Sequence, residues 1–274
     1  MAPMNNRLLV ANQPAVGGLL DLVPGAAAAY SLRSLSNTYT DPVVTVRRSS
    51  DDAEDSFTAT EVSDGTLAAF CGVGDGFVKQ WWDQSGNTRH AIQTTTTYQP
   101  QIVSGGAVTL KDGKPALQFD GVNDRYKVGF TLGAYISMFS VVSVNATNDF
   151  IFDSYDTANI NSVYLASSES FRFLMNLISG GAMPYRPYTL ASQALLSMIH
   201  FSDDIRNAWV NGSDSGYTLA GSHPTVAPMN GITIGCAGSD NLFLDGTYQE
   251  LIVYETDQTA NRELIEGNIS WGWS

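Results

Sequence analysis

The chain has 274 residues, of which 43% are hydrophobic and only 15% are charged, and its formal net charge is −13. This length and apolar content suffice for the core of one large domain. The acidity argues against nucleic acid and anionic membranes as partners, because both attract basic proteins. No segment reaches the roughly 18 apolar residues of a membrane helix, so no membrane insertion is expected. Cys71 and Cys236 lie far apart without zinc-site spacing, which favours two buried thiols and leaves a disulfide open.

The first 24 residues differ from the rest of the chain in being rich in proline and glycine. They predict an extended N-terminal arm, followed by a single domain over residues 25–274. The apolar residues Leu19, Leu20, Leu22 and Val23 could dock this arm on a partner by apolar burial or strand addition. An edge strand of the main domain is the alternative. The segment lacks the charged region and long apolar core of a signal peptide.

The remaining segments predict mostly short strands. Residues 26–36 (AAAAYSLRSLS) have apolar residues at helical spacing and predict a short helix, and residues 63–72 predict helical turns that end at Gly72. From residue 77 onwards, short runs alternate apolar and polar residues and are separated by turn residues. A helix is predicted near residues 258–269. This pattern predicts an all-β, two-sheet sandwich or jelly roll with a few short helices.

The segment FVKQWWDQSGNTRHAIQ (77–93) joins two predicted strands through a polar corner that follows Trp81 and Trp82. Exposed tryptophan rings can stack on sugars, whereas strand aromatics more often belong to the core. The three histidines, His90, His200 and His223, are isolated from one another, and no phosphate loop, GxSxG or HExxH motif occurs. No cofactor is therefore predicted.

The segment FDGVNDRY places Asp120, Asn123 and Asp124 close together. Carboxylate and amide oxygens at this spacing could bind calcium. The alternative is a β-turn in which the Asp and Asn side chains bond to their own backbone.

Three blocks carry a family resemblance: YSLRSLSNTYTDPVVTVRRSSDDAEDSF (30–57), GFVKQWWDQSGNTRHAIQ (76–93) and GKPALQFDGVND (113–124). They resemble the catalytic domain of fungal α-L-arabinofuranosidase B, which implies a concanavalin A-like jelly roll. The run DGTYQELIVYETDQTANRELIEGNIS (245–270) looks like the ending of lectin-like proteins found in bacteria and phage virions. The resemblance covers about residues 26–270, and it implies that the corner at residues 83–87 is structural.

The resemblance also implies where catalytic groups would lie. The run GSDN (238–241) resembles the family's general-acid segment, so Asp240 is a residual acid candidate. The family's nucleophile lies in a run resembling Asp-Leu-Glu-Asn-Gly, which NLISG (176–180) matches, with Ile178 at the nucleophile position. A hydrocarbon cannot attack an anomeric carbon, so no catalytic residue is predicted unless a shifted register brings in Glu169. Phe150 and Ile151 replace the family's adjacent cysteines.

These observations favour a non-enzymatic phage virion protein that displays a lectin-like jelly roll on the particle surface, as a capsid decoration, fibre or tail component. The arm would bind other virion proteins, and a homo-oligomer or many-copy assembly made in the host cytoplasm is expected. One alternative is an adhesin that binds host surface glycans through Asp240, Asn241, Trp81 and Trp82. The other alternative is an active α-L-arabinofuranosidase-type glycosidase.

Overall fold

The computed structural model describes residues 17–133, 135–155, 161–166, 170–175, 185–201, 206–214 and 228–272. These residues form two large antiparallel sheets and a few short helices. The sheets share one core, in which the Phe119 ring of one sheet packs edge-on against Tyr126 of the other, with ring centroids 6.4 Å apart. The all-β jelly-roll prediction is confirmed.

The strands follow in chain order as β1 Ala28–Ser31, β2 Val44–Arg48, β3 Glu54–Phe57, β4 Gly76–Trp81, β5 Ala91–Ile92, β6 Gln101–Ser104, β7 Ala107–Val108, β8 Leu110–Lys111, β9 Lys114–Pro115, β10 Leu117–Asp120, β11 Tyr126–Leu132, β12 Ile136–Val144, β13 Phe150–Ser154, β14 Asn161–Ala166, β15 Ser170–Met175, β16 Tyr185–Pro187, β17 Ala194–His200, β18 Arg206–Val210, β19 Ser213–Asp214, β20 Met229–Ile234 and β21 Asp245–Tyr254. The larger sheet has the order β19-β18-β17-β12-β21-β10-β6-β4-β2-β3. The smaller sheet has the order β11-β20-β13-β14-β15-β16.

Strand β21 lies at the centre of the larger sheet. It pairs with β12 along one edge and with β1 and β10 along the other. All residues of β12, and all of β21 except Asp245, are buried. This burial explains the nearly continuous apolar pattern of residues 248–254, which predicts a strand covered on both faces.

The helices are α1 Leu19–Leu22, α2 Ala59–Ser63, α3 Thr66–Cys71 and α4 Arg262–Gly272, with 3₁₀ turns at Thr96–Tyr98 and Thr259–Asn261. A capping box starts α2, since the Thr58 hydroxyl accepts from the Glu61 amide and the Glu61 carboxylate accepts from the Thr58 amide. The predicted C-terminal helix is confirmed as α4, which carries an Arg262–Glu266 ion pair. None of the helices in the described ranges is long and apolar enough to span a membrane.

The helix predicted over residues 26–36 is wrong. Ala28–Ser31 form a strand whose four residues are all buried and pair with Glu250–Val253 of β21. Alanine favours a helix in isolation, but here its small side chain fits beside the central strand. The hydrogen bonds offered by the β21 edge and the burial of the segment outweigh local propensity.

The residues predicted to dock a partner instead pack largely against the chain's own body. Leu19 is fully buried and Val23 is almost so, while Leu20 packs partly on the core and Leu22 remains 39% exposed. The Tyr254 hydroxyl donates to the Val23 carbonyl at 2.9 Å. The docking role of Leu19 and Val23 is therefore corrected, because buried side chains present no surface. Residues 1–16 of the predicted arm lie outside the described residues.

Candidate functional site

The polar corner at residues 83–87 holds the backbone of the first strand. Asp83 is only 4% exposed, and its Oδ1 accepts from the Ala29 and Ser85 amides at 2.8 and 2.9 Å. Its Oδ2 accepts from the Arg89 amide and the Ser85 hydroxyl at 3.0 and 2.8 Å. Both oxygens are thus occupied by the fold, as the resemblance implied for this corner.

The neighbouring amide side chains extend the same network. The Gln84 side chain accepts from the Leu35 amide and donates to the carbonyls of Ser31 and Arg33. Asn87 Nδ2 donates to the Ala26 and Ala27 carbonyls, both at 3.0 Å. The corner therefore satisfies buried backbone groups of the segment before and after β1, where the sheet offers them no partner.

The two tryptophans that lead into the corner do not form a sugar platform. Trp81 is fully buried between Tyr30 and Tyr248, with ring centroids 5.6 and 5.8 Å away, so it is corrected from a binding residue to a core residue. Trp82 is half-buried; its Nε1 donates to Thr45 Oγ1, and its ring lies 4.7 Å from that of His90. These contacts place Trp82 in a different group of residues from Asp240.

Asp240 lies at the surface in a tight turn between β20 and β21. The Asp240 amide donates to the Ala237 carbonyl at 2.9 Å, and the Ala237 amide donates to the Asn241 carbonyl at 3.0 Å. The φ angle of Asp240 is +58°. Asp and Asn tolerate this left-handed conformation better than most residues. The Asp240 side chain is 44% exposed, and Asn241 is exposed and accepts from the Ser239 hydroxyl. Asp240 and Asn241 therefore both lie on a surface turn.

Two cations hold the Asp240 carboxylate. Arg125 Nε lies 3.0 Å from its Oδ1, and Lys127 Nζ lies 2.9 Å from its Oδ2. Lys127 also donates to the Gly238 carbonyl at 3.0 Å. The Arg125 guanidinium stacks 3.8 Å from the centre of the Tyr98 ring, which fixes its position. The result is a rigid arrangement of charged and aromatic groups around one accessible carboxylate.

A second carboxylate, that of the buried Asp153, accepts a hydrogen bond from the turn. Asp153 is 8% exposed, and its Oδ2 accepts from the Gly238 amide at 2.8 Å while its Oδ1 accepts from the Ser154 amide. Cys236 lies beside these groups, and burial, together with the Asp240 and Asp153 carboxylates, raises the pKa of its thiol to about 12. Cys236 is therefore a neutral packing residue, and both it and Cys71 are free and buried.

Arg125, Lys127 and Asp153 are site residues that the sequence interpretation did not identify. Arg125 and Lys127 are two positions apart, so along a strand their side chains share one face. A pair of cations on one face at the start of a strand is a visible signal, but their acidic partner lies more than 110 positions away along the chain. Only the pairing of β11 with β20 brings the two together.

The candidate calcium residues form a turn. Asp120 Oδ1 accepts from the backbone amides of Val122, Asn123 and Asp124, which is the alternative that the sequence left open. In the described ranges, no group of three or more His, Cys, Asp or Glu side chains has the arrangement of a metal site. The three amide bonds favour this turn over a calcium site at Asp120, Asn123 and Asp124.

Several predicted positions lie outside the described residues. They include Ile178 and its neighbours, Glu169 and His223. His200 is fully buried beside Tyr135, and His90 accepts from the Asp83 amide, so both belong to the packing of the fold. Phe150 is half-buried and Ile151 fully buried in β13.

Glycosidases are among the solved structures that are similar to this chain. An arabinofuranosidase complexed with arabinofuranosyl-α-1,2-xylobiose matches with a TM-score of 0.66 and 20% identity, over 89% of this chain and 62% of that one. A mutant GH54 α-L-arabinofuranosidase soaked with 4-nitrophenyl α-L-arabinofuranoside matches with a TM-score of 0.65 and 19% identity, over the same shares of the two chains. The chain thus spans less than two thirds of the length of these arabinofuranosidases. At these identities, the similarity establishes the fold.

A more distant match is a Trypanosoma rangeli sialidase in complex with sialic acid, with a TM-score of 0.51, 10% identity, and coverage of 72% of this chain and 32% of that one. No protein-family model matches the sequence, and no curated protein is significantly similar to it. The chain has a β-sandwich fold that is used by carbohydrate-active enzymes.

These matches make the expectation of a non-enzymatic phage virion protein wrong. The similar folds belong to glycosidases, and nothing in the described ranges points to a capsid, fibre or tail role. The glycosidase alternative agrees better with the fold. The virion expectation depends on Ile178 at the nucleophile position, and residues 176–180 lie outside the described ranges.

Proposed function

We propose that the protein is a glycosidase that acts on α-L-arabinofuranosyl saccharides, with the turn at residues 238–241 at its active site. One observation carries the proposal: the chain shares its fold, over 89% of its length, with an arabinofuranosidase complexed with an arabinofuranosyl xylobiose. Asp240 lies in the segment that resembles the family's general-acid run. It is also an accessible carboxylate held at a defined position.

In this reaction Asp240 would donate a proton to the glycosidic oxygen as the bond to the anomeric carbon breaks. Each Asp240 oxygen is paired with a cation in the structure, so one of the two cations must move away before the oxygen that it contacts can carry the proton. Lys127 is the group better suited to move, because its flexible side chain is 26% exposed whereas Arg125 is held against Tyr98. A glycosidase also needs a second carboxylate across the bond. Asp153 is poorly suited to that role, because both its oxygens accept backbone amides.

The test is hydrolysis of 4-nitrophenyl α-L-arabinofuranoside by the full chain and by the variant Asp240→Asn. Loss of a general acid should reduce kcat/KM by about 10²- to 10⁴-fold. Asp55→Asn is the matched control, because Asp55 is an exposed aspartate on the edge strand β3. The proposal fails if the full chain releases no nitrophenol, or if Asp240→Asn is as active as Asp55→Asn.

A second candidate is saccharide binding without hydrolysis. The observation that favours it is the double ion pair of Asp240, which leaves neither oxygen unpaired to carry a proton. The exposed Asn241 amide and the partly exposed Phe243 ring would then complete a recognition surface. Saturable binding of arabinofuranosyl xylobiose by calorimetry, with no release of arabinose, would select this function over the first.

A further inference from the structure

A pocket lies on the outer face of the larger sheet. It has a volume of about 340 Å³ and is lined by residues of β2, β4, β6 and β10, together with Thr96, Thr97, Gln99 and Asp124. This volume is at the lower end of the range for small-molecule sites. The pocket shares no lining residue with the Asp240 turn.

The strand register gives the pocket an ordered floor. Arg47 pairs with Phe77, Phe77 pairs with Gln101, and Gln101 pairs with Gln118, so these four side chains form one row across four strands. Residues directly opposite on neighbouring strands project to the same face of the sheet. The row therefore presents a guanidinium, an aromatic ring and two amides side by side.

Internal contacts hold the side chains at the Arg47 end in place. Arg47 Nε donates to Gln99 Oε1 at 2.9 Å, Arg47 Nη1 pairs with Asp52 at 2.7 Å, and the guanidinium lies 5.0 Å from the Phe77 ring centre. Gln99 is 3% exposed and donates onward to the Gln93 carbonyl. This end of the pocket is already organised, which lowers the entropy cost of binding.

Hydrogen-bonding capacity remains free towards the middle of the pocket. The half-buried Gln101 side chain makes no hydrogen bond with any residue that the structure describes, and Gln118 uses only its Nε2, which donates to the Phe119 and Gly246 carbonyls. Asp124 closes the pocket; it is 6% exposed, and its Oδ2 accepts from the Asp120 amide. An amide that can both donate and accept beside a carboxyl suits the hydroxyl groups of a polyol.

We propose that this pocket binds a neutral saccharide of one or two rings. The Asp120 carboxylate disfavours an anionic ligand, and Arg47 disfavours a cationic one, whereas uncharged hydroxyls can bond to groups of either sign. The Phe77 ring supplies the apolar contact that sugar C–H faces use. The inference concerns a site separate from Asp240, and it does not depend on hydrolysis at that turn.

The test is an NMR titration of the isotope-labelled full chain with xylobiose, and with glucuronic acid as the anionic counterpart. Xylobiose should give saturable shifts at the amides of residues 96–99, 101 and 118–124, and glucuronic acid should give none there. Gln101→Leu removes the free amide at nearly constant volume and should weaken xylobiose binding about 3- to 10-fold.

Gln80→Leu is the matched control, because it replaces a half-buried glutamine on the adjacent strand β4 that does not line the pocket. At the pocket amides it should bind xylobiose as the unmodified chain does. Absence of saturable shifts at the pocket amides would overturn the inference. Equal affinity of the Gln101→Leu and Gln80→Leu variants would do so as well. The titration of the unmodified chain decides the question even if a variant does not fold.

Discussion

Two short polar turns of similar composition have different roles in this molecule. The corner at residues 83–87 (DQSGN) buries Asp83 and Gln84, and the Asp83 carboxylate is saturated by amides and a hydroxyl of the chain itself. The turn at residues 238–241 (GSDN) exposes its carboxylate, which is held by two cations. A carboxylate with both oxygens occupied by backbone amides has no capacity left for a ligand, whereas an ion pair at the surface can open. The difference shows that partners, rather than residue types, determine which turn can do chemistry.

The largest expected effect is on the buried corner. Asp83→Ala removes the acceptor of three backbone amides, those of Ala29, Ser85 and Arg89. Buried donors without a partner are costly, so we expect the free energy of unfolding to fall by about 3–5 kcal/mol. Urea denaturation followed by tryptophan fluorescence measures the change. A loss no larger than that of Asp240→Ala would remove the distinction between the two turns.

An intermediate effect is expected at Asp124. Burial and the Asp120 carboxylate raise the pKa of Asp124 to about 7, from 3.8. The folded chain therefore holds this proton more tightly than the unfolded chain does. Stability from this group is complete below pH 4 and is lost as the pH rises through 7.

Asp124→Asn keeps an acceptor for the Asp120 amide but cannot ionise. At pH 8 the free energy of unfolding of this variant should be higher than that of the parent chain by on the order of 1–2 kcal/mol. This is less than the whole change in the pKa of Asp124 implies, because water reaches the carboxyl from the pocket. The stability of the Asp124→Asn variant should still decline as the pH rises to about 6, because burial raises the pKa of Asp149 to about 6. Urea midpoints measured from pH 4 to 8 test this. A variant with the same pH dependence as the parent chain would contradict it.

The smallest effect is expected for the stability of Asp240→Asn. Its ion pairs with Arg125 and Lys127 are partly exposed, and such pairs contribute about 0–1 kcal/mol. The difference from the parent should shrink further in about 1 M salt, where surface charges are screened. A large, salt-independent loss would mean that this turn, like the corner, is built for stability.

The strand pattern was predictable where one face of a strand is buried. In β4 the buried Val78 lies between the more exposed Phe77 and Lys79, so alternation identified the first part of the strand, and a register shift against β2 then turns Trp81 into the core. Adjacent tryptophans cannot both face the core of a regular strand, and the sequence did not indicate which one would. The register of β4 with β2 settled this by placing Val44 opposite Trp81.

The failures arose where distant segments meet. Residues 28–31 have the composition of a helix, yet they form a strand because the edge of β21 offers partners. Arg125 and Lys127 are site residues only because they pair with the distant Asp240. The row from Arg47 to Gln118 likewise forms only when four strands pair in the observed register.

The sequence by itself determined the class of fold and the C-terminal helix, because periodicity and turn chemistry act over a few neighbouring residues. Tertiary structure decided which polar groups are used up by the backbone and which remain free to bind. That outcome depends on hydrogen bonds and ion pairs between residues tens to hundreds of positions apart, whose pairing no local pattern encodes.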